Sequence, residues 1–231
     1  MKRIAAVLAC TLALACPARG TAQELDSQLV LERYAAALAG IAAPKAVVFN
    51  YSVSQAGPHN LEQTHTIFRV GTLTRDQTTS VDGDAVTGQI RILSRSDRYA
   101  IVRLAPRVSE YSLLFLGARR NGKHLDYTYA AAPYAPAGPF TVTEVTIDGV
   151  TYLPNLIRFV AIAEGVKANG SIAYAKFGKY WMPTLALVSA KIDGKPARER
   201  IAWGGYAFPA TLPPSTFAQP KPVALPTIAP F

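Results

Sequence analysis

The stretch Gly178–Phe217, GKYWMPTLALVSAKIDGKPARERIAWGGYAFPATLPPSTF, decides the fold. Two apolar runs flank Asp193-Gly194, a pair suited to the positive φ angles of a tight hairpin turn. The second run alternates: Glu199, Ile201 and Trp203 point one way, while Arg198, Arg200 and Ala202 point the other. Such alternation belongs to a strand with one buried side. Pro209, Pro213 and Pro214 then stop the ladder, and Phe217 is placed to plug an edge. The hairpin is expected to close one large antiparallel sheet into which the rest of the chain feeds.

Upstream, Pro44 marks a change of period. Before it, Val30, Tyr34, Ala37, Leu38 and Ile41 form one apolar stripe, which predicts a helix over Glu24–Ile41 with acids near its start and Gly40 near its end. After it, Val47, Phe49, Tyr51 and Val53 alternate with Ala46, Val48, Asn50 and Ser52, as a strand requires. Further strands are expected over Leu61–Val70, Thr72–Val81, Ala85–Arg95, Tyr99–Leu104, Tyr111–Arg119, Lys123–Ala131, Phe140–Ile147, Val150–Ala163 and Gly170–Phe177. Asp82-Gly83, Asn121-Gly122 and Asp148-Gly149 supply turns between them, and Pro154 suits a bulge or an edge. The class is therefore mainly β, with about ten or eleven antiparallel strands and no helical crossovers. So many strands curl instead of lying flat, which gives an unclosed β-barrel with the N-terminal helix laid into its mouth as a lid.

The ends of the chain read differently. Lys2 and Arg3, the apolar run Ile4–Cys16 and the small residues Gly20-Thr21-Ala22 before Gln23 form a secretory signal over residues 1–22. The apolar run falls short of the ~20 residues that span a bilayer. Ala13-Leu14-Ala15-Cys16 loosely matches a bacterial lipoprotein processing site, so a lipid anchor at Cys16 is the alternative to cleavage after Ala22. Removing 22 of the 231 residues leaves 209, enough for one domain over 23–217, followed by a Pro-rich extended tail over 218–231. Both cysteines leave with the signal, so the exported domain is held together by burial and strand pairing alone. Losing Lys2, Arg3 and Arg19 takes the net charge from +9 to +6. That surplus suits anionic lipid headgroups or envelope polymers as well as it suits a solvated surface. There is no dense Lys/Arg stripe, and nucleic acid is not expected as a partner.

Catalytic patterns are missing from the sequence. There is no Gly-x-Ser-x-Gly elbow, no Ser-x-x-Lys pair and no phosphate-cradling glycine loop. In His59-Asn60-Leu61-Glu62-Gln63-Thr64-His65, a strand puts His59, Gln63 and His65 on one face with Glu62 opposed, unlike the helical spacing of a zinc hydrolase. His124 is remote in sequence, so turn and strand-surface roles are expected for these residues, with no metal, no cofactor and no enzyme. The conspicuous set is apolar: Val30, Tyr34, Leu38, Phe49, Tyr51, Phe115, Tyr127, Tyr129, Phe159, Trp181 and Trp203. Eight-stranded barrels are filled by their own side chains, whereas larger or unclosed ones leave a cavity. The set thus reads either as packed core or as the lining of a ligand site.

Three local patterns carry a resemblance. They are Ile147-Asp148-Gly149 with Tyr152-Leu153-Pro154, then Tyr180-Trp181-Met182-Pro183, then Tyr206-Ala207-Phe208 before Leu212-Pro213 and Phe217. With the signal and the leading helix, the chain resembles the LolA/LolB-like superfamily of envelope proteins, which includes outer-membrane lipoprotein-sorting proteins and RseB-type sensors. The resemblance implies a half-barrel whose concave apolar face holds the acyl chains of lipids or lipoproteins. It implies a non-catalytic periplasmic carrier or sensor, and the eleven residues above as its cavity. The rival expectation is an envelope interaction module with a filled core, docked to a protein partner.

Overall fold

The computed structural model describes residues 26–58, 60–94, 100–136, 138–163 and 165–218. The expected signal over 1–22, Cys16, His59, Tyr99 and all but the first residue of the expected tail lie outside them.

Helix α1 spans Ser27–Ala39. It is shorter than the 24–41 stripe because both ends are capped inside it. The Asp26 carboxylate accepts the Gln28 N–H at 2.9 Å, and the Gly40 N–H closes onto the carbonyls of Ala36 and Leu38. Val30 and Tyr34 face inward and are fully buried.

The strands are β1 (Ala46–Ala56), β2 (Leu61–Val70), β3 (Leu73–Val81), β4 (Asp84–Ala85), β5 (Ile90–Ser94), β6 (Tyr111–Asn121), β7 (His124–Pro133), β8 (Phe140–Asp148), β9 (Pro154–Ala163), β10 (Val166–Phe177), β11 (Tyr180–Ile192) and β12 (Lys195–Ala207). They form one antiparallel sheet in the order β4-β3-β2-β1-β12-β11-β10-β9-β8-β7-β6, with β5 also paired to β3. The curled, unclosed mainly-β architecture expected from the sequence is present, with twelve strands instead of ten or eleven. The opening lies mid-chain, between the β4/β5 edge and β6. The final strand pairs with the first, from Val48 opposite Ala207 down to Ala56 opposite Arg198.

Asp193 and Gly194 take φ of 51° and 76°, so the β11–β12 turn has the mirror-image geometry that the Asp-Gly pair favours. Three expected strands are corrected. Ala85–Arg95 breaks into β4 and β5 because Gly88 turns the backbone to φ 79°. Within the expected strand Tyr99–Leu104, the described residues Ile101–Leu104 form instead the single helical turn α2, which drives Ile101 and Ala105 into the core. Val150–Ala163 starts only at Pro154, where a ring without an N–H costs the ladder nothing. Phe217 ends a 3-10 turn, Pro214–Phe217, that packs beside β3, with Arg75 Nη1 donating to the Thr216 carbonyl at 3.0 Å.

Register sets the inner face. Val53, Ile201, Ala186, Ile172, Ile157, Val145, Tyr129 and Phe115 stand directly opposite one another in turn across eight strands. Truncating this row where β1 meets β12 tests it: Ile201→Ala is expected to cost about 2–5 kcal/mol in urea unfolding. Leu114→Ala on the exposed side of β6 is expected to stay within about 0.5 kcal/mol.

Candidate functional site on the concave face

Strands β11 and β12, of 13 residues each, run for about 43 Å, whereas the 13 residues of α1 span only about 20 Å. The helix is therefore about half as long as these strands. Its hydrogen bonds place it. Tyr129 donates to the Ser27 carbonyl at 2.9 Å, Tyr34 donates to the Pro106 carbonyl at 2.8 Å, and Arg33 reaches the Tyr152 hydroxyl in the β8–β9 turn at 2.5 Å. It thus sits toward the end of the sheet where β1 begins and β12 ends, here called the upper end.

Burial raises the pKa of each of the two anchoring tyrosines. The Tyr34 hydroxyl is pushed far above its usual value. That of Tyr129 is pushed up to about 12, mainly by burial and then by the neighbouring Tyr127 and Asp26. Both remain protonated donors at neutral pH, as their carbonyl acceptors require.

All eleven residues expected at the site meet in one apolar cluster. Val30, Tyr34, Tyr127, Tyr129, Phe159 and Trp203 are buried. Leu38, Phe49, Tyr51, Phe115 and Trp181 are half-buried around them. Beneath the helix Phe115 packs on Tyr129 with ring centroids 5.4 Å apart, and Trp181 Nε1 donates to the Pro154 carbonyl at 2.7 Å.

The lower half is built differently. Below the aromatic rows, Ala197, Ala190, Ala168 and Ala161 stand opposite one another across β12, β11, β10 and β9. One row above them, Gly170 is opposite Phe159, and a Cβ at Gly170 would collide with the Phe159 ring. The phenyl ring therefore lies flat over the glycine and narrows the floor there. Beside it opens a groove of about 310 Å³ lined by Val188, Ala190, Ile192, Ala197, Pro58 and the Gln55–Glu199 pair, which is hydrogen-bonded at 2.6 Å. That volume lies at the small end of the range for ligand sites. Arg198 borders this groove but alternates onto the convex face, where a wider, shallower groove of about 720 Å³ also carries Arg158, Arg200 and Leu187. The alanine row was not singled out from the sequence; small residues alternating at the ends of apolar strands were its signal.

The histidines also differ from expectation. Glu62 is exposed as expected, but His65 is 3% exposed and not a surface residue. Its Nδ1 lies 2.8 Å from the equally buried Asp76, its Nε2 lies 3.3 Å from Gln63, and Tyr51 stacks on its ring at 4.5 Å. The Asp76 partner comes from the β2–β3 register, which brings together residues that the local spacing keeps apart. His124 lies not alone but beside Asp126 and Asp148.

No family model matches the sequence, and no curated protein matches it. Solved structures of similar fold exist. A DUF1329 family protein from Desulfovibrio piger is 11% identical with a TM-score of 0.50, over 83% of this chain and 96% of that one. A domain described as an outer membrane lipoprotein-sorting protein from Vibrio parahaemolyticus is 12% identical with a TM-score of 0.48, over 83% and 97%. A LolA superfamily protein from Nitrosomonas europaea is 13% identical with a TM-score of 0.42, over 84% and 98%. The Desulfovibrio protein shares the fold.

The tyrosine anchors make an alkaline prediction. Groups whose folded pKa is raised stabilise the fold fully below the unfolded value of 10.0, and that contribution fades as pH climbs through about 12. A stability profile from urea melts should be flat with respect to these groups up to pH 10 and fall steeply above it. Tyr34→Phe combined with Tyr129→Phe should flatten that fall.

Proposed function

We propose that the chain is a non-catalytic periplasmic carrier or sensor that holds acyl chains of lipids or lipoproteins against its concave face. The observation that supports this most directly is the mismatch between a half-height helix and a full-height apolar wall. Val188, Ala190, Ile192 and Ala197 are presented on that wall below α1 with no described element above them. An acyl chain in this groove gains about 0.8 kcal/mol per buried methylene.

The eleven aromatic and aliphatic residues enter as a second stage. Lifting α1 exposes Val30 and Tyr34 and breaks the Tyr34–Pro106 and Tyr129–Ser27 hydrogen bonds. Side chains at roughly 1.5–3 kcal/mol each and hydrogen bonds at roughly 0.5–1.5 each put the cost on the order of 5–10 kcal/mol. About 6–12 methylenes offset it at the same rate per group. A long chain therefore suffices to displace the helix and a short one does not. The burial of Val30, Tyr34, Tyr127 and Tyr129 in one cluster supports the rival reading, an interaction module with a solid core docked to an envelope partner, for as long as α1 stays down.

Organic extraction of the purified protein, followed by titration with fluorescent fatty acids of increasing length, tests the proposal. Co-purified lipid and affinity rising with chain length are expected. Ala190→Glu, which puts a charge on the groove floor, should weaken binding at least about tenfold. Absence of both lipid and fatty-acid binding would leave the interaction module.

A further inference from the structure

At the upper end, on the face of β7 that alternates with Tyr127 and Tyr129, three polar side chains converge. His124 and Asp126 are two residues apart on β7, and Asp148 is the direct partner of Asp126 across the β7–β8 ladder. His124 Nε2 lies 3.4 Å from Asp126 Oδ1 and 3.3 Å from Asp148 Oδ2, and the three atoms fall within 4.8 Å of one another. Among the described residues, neither His124 Nε2 nor Asp126 Oδ1 has a hydrogen-bond partner, although both atoms are buried and Asp126 is only 9% exposed.

The other oxygen of each carboxylate is fully engaged. Asp126 Oδ2 accepts the side-chain amides of Asn121 at 2.8 Å and Asn155 at 2.9 Å. Asp148 Oδ1 accepts the N–H groups of Val150 and Thr151 and the Thr151 hydroxyl, at 3.1, 2.6 and 2.7 Å. Each acid thus has one oxygen held by outer partners and one aimed at a common point with the imidazole nitrogen. That is how ligating carboxylates are oriented around a metal. A buried acceptor and ring nitrogen facing one another unpaired are otherwise costly.

We propose that His124, Asp126 and Asp148 form a binding site for a divalent first-row transition metal ion. Ligand bonds of 2.0–2.2 Å arranged tetrahedrally put neighbouring donors about 3.3–3.6 Å apart, and the two distances from His124 match that edge. One imidazole with two carboxylates suits Zn²⁺ or Mn²⁺, whereas Ca²⁺ and Mg²⁺ prefer oxygen throughout. His124, partly open to solvent, leaves a fourth position for water or an anionic group. The ion would pin the turn after Asp148 to the β6–β7 hairpin. Gly149 already approaches the Leu125 carbonyl there so closely that no Cβ fits.

The site is independent of acyl binding, and neither proposal falls with the other. Calorimetric titration of the full chain with Zn²⁺ and, separately, Mn²⁺ tests it, with Ca²⁺ as the hard-ion control. One equivalent of a transition ion is expected to bind, with a raised thermal midpoint and little effect of Ca²⁺. His124→Asn and Asp148→Asn should each weaken binding at least about 100-fold. Asn155→Ala should weaken it by about 10–100-fold through the loosened Asp126. Asp148→Asn keeps a carbonyl oxygen for the Thr151 turn, so its fold is preserved even if another variant fails. Cys10→Ser with Cys16→Ser should leave the affinity unchanged. Absence of stoichiometric binding, equal affinity in His124→Asn and Asp148→Asn, or loss on removing the cysteines would each overturn the site.

Discussion

The pairing of β1 with β12 is the constraint on which the rest depends. Without it the chain would make two separate meanders, β1–β5 and β6–β12. With it, Tyr51 stands opposite Trp203 and Val53 opposite Ile201, and one inner face runs across the whole sheet. The ladder joins residues about 150 positions apart, so its loop-closure cost falls late and must be offset by the apolar rows it aligns. It also places the opening of the barrel in the middle of the chain, where the connection through α2 supplies Ile101, Ala105 and the Pro106 carbonyl to the helix side of the core.

From that single alignment the two halves of the concave face diverge. Above, aromatic rings and α1 pack into one apolar cluster. Below, alanines at 161, 168, 190 and 197 keep the wall apolar but shallow. Helix length decides where the boundary falls. The same short helix is tied to the β8–β9 turn by Arg33 and Tyr152, next to the cluster at His124, Asp126 and Asp148. The cover of the apolar face and the polar cluster on the opposite face therefore share one turn.

What could be read in the sequence was local. Asp82-Gly83, Asn121-Gly122 and Asp193-Gly194 mark their turns because only certain residues tolerate positive φ. The apolar stripe around Val30 and Tyr34 marks α1 because helical spacing puts those residues on one buried face. What could not be read depends on register. Bulges such as those at Phe115/Gly117, Val142/Glu144 and Ala173/Tyr174 each shift the alternation, so a simple period of two loses track of which face a residue takes. His65 with Asp76, the alanine row, and His124 with Asp148 are all products of cross-strand alignment. The four residues Ile101–Leu104 have strand-like composition, and burial of Ile101 and Ala105 turned them helical.

Ala46 enters β1 and Ala207 leaves β12 at the same end of their shared ladder. Tension applied through those two points would part the ladder like a zip, one hydrogen-bonded pair at a time, instead of shearing many bonds together. A domain whose thermal stability rests on its most distant pairing would therefore yield stepwise and at low force to a pull on that end. The aromatic rows would be released first and the alanine rows last.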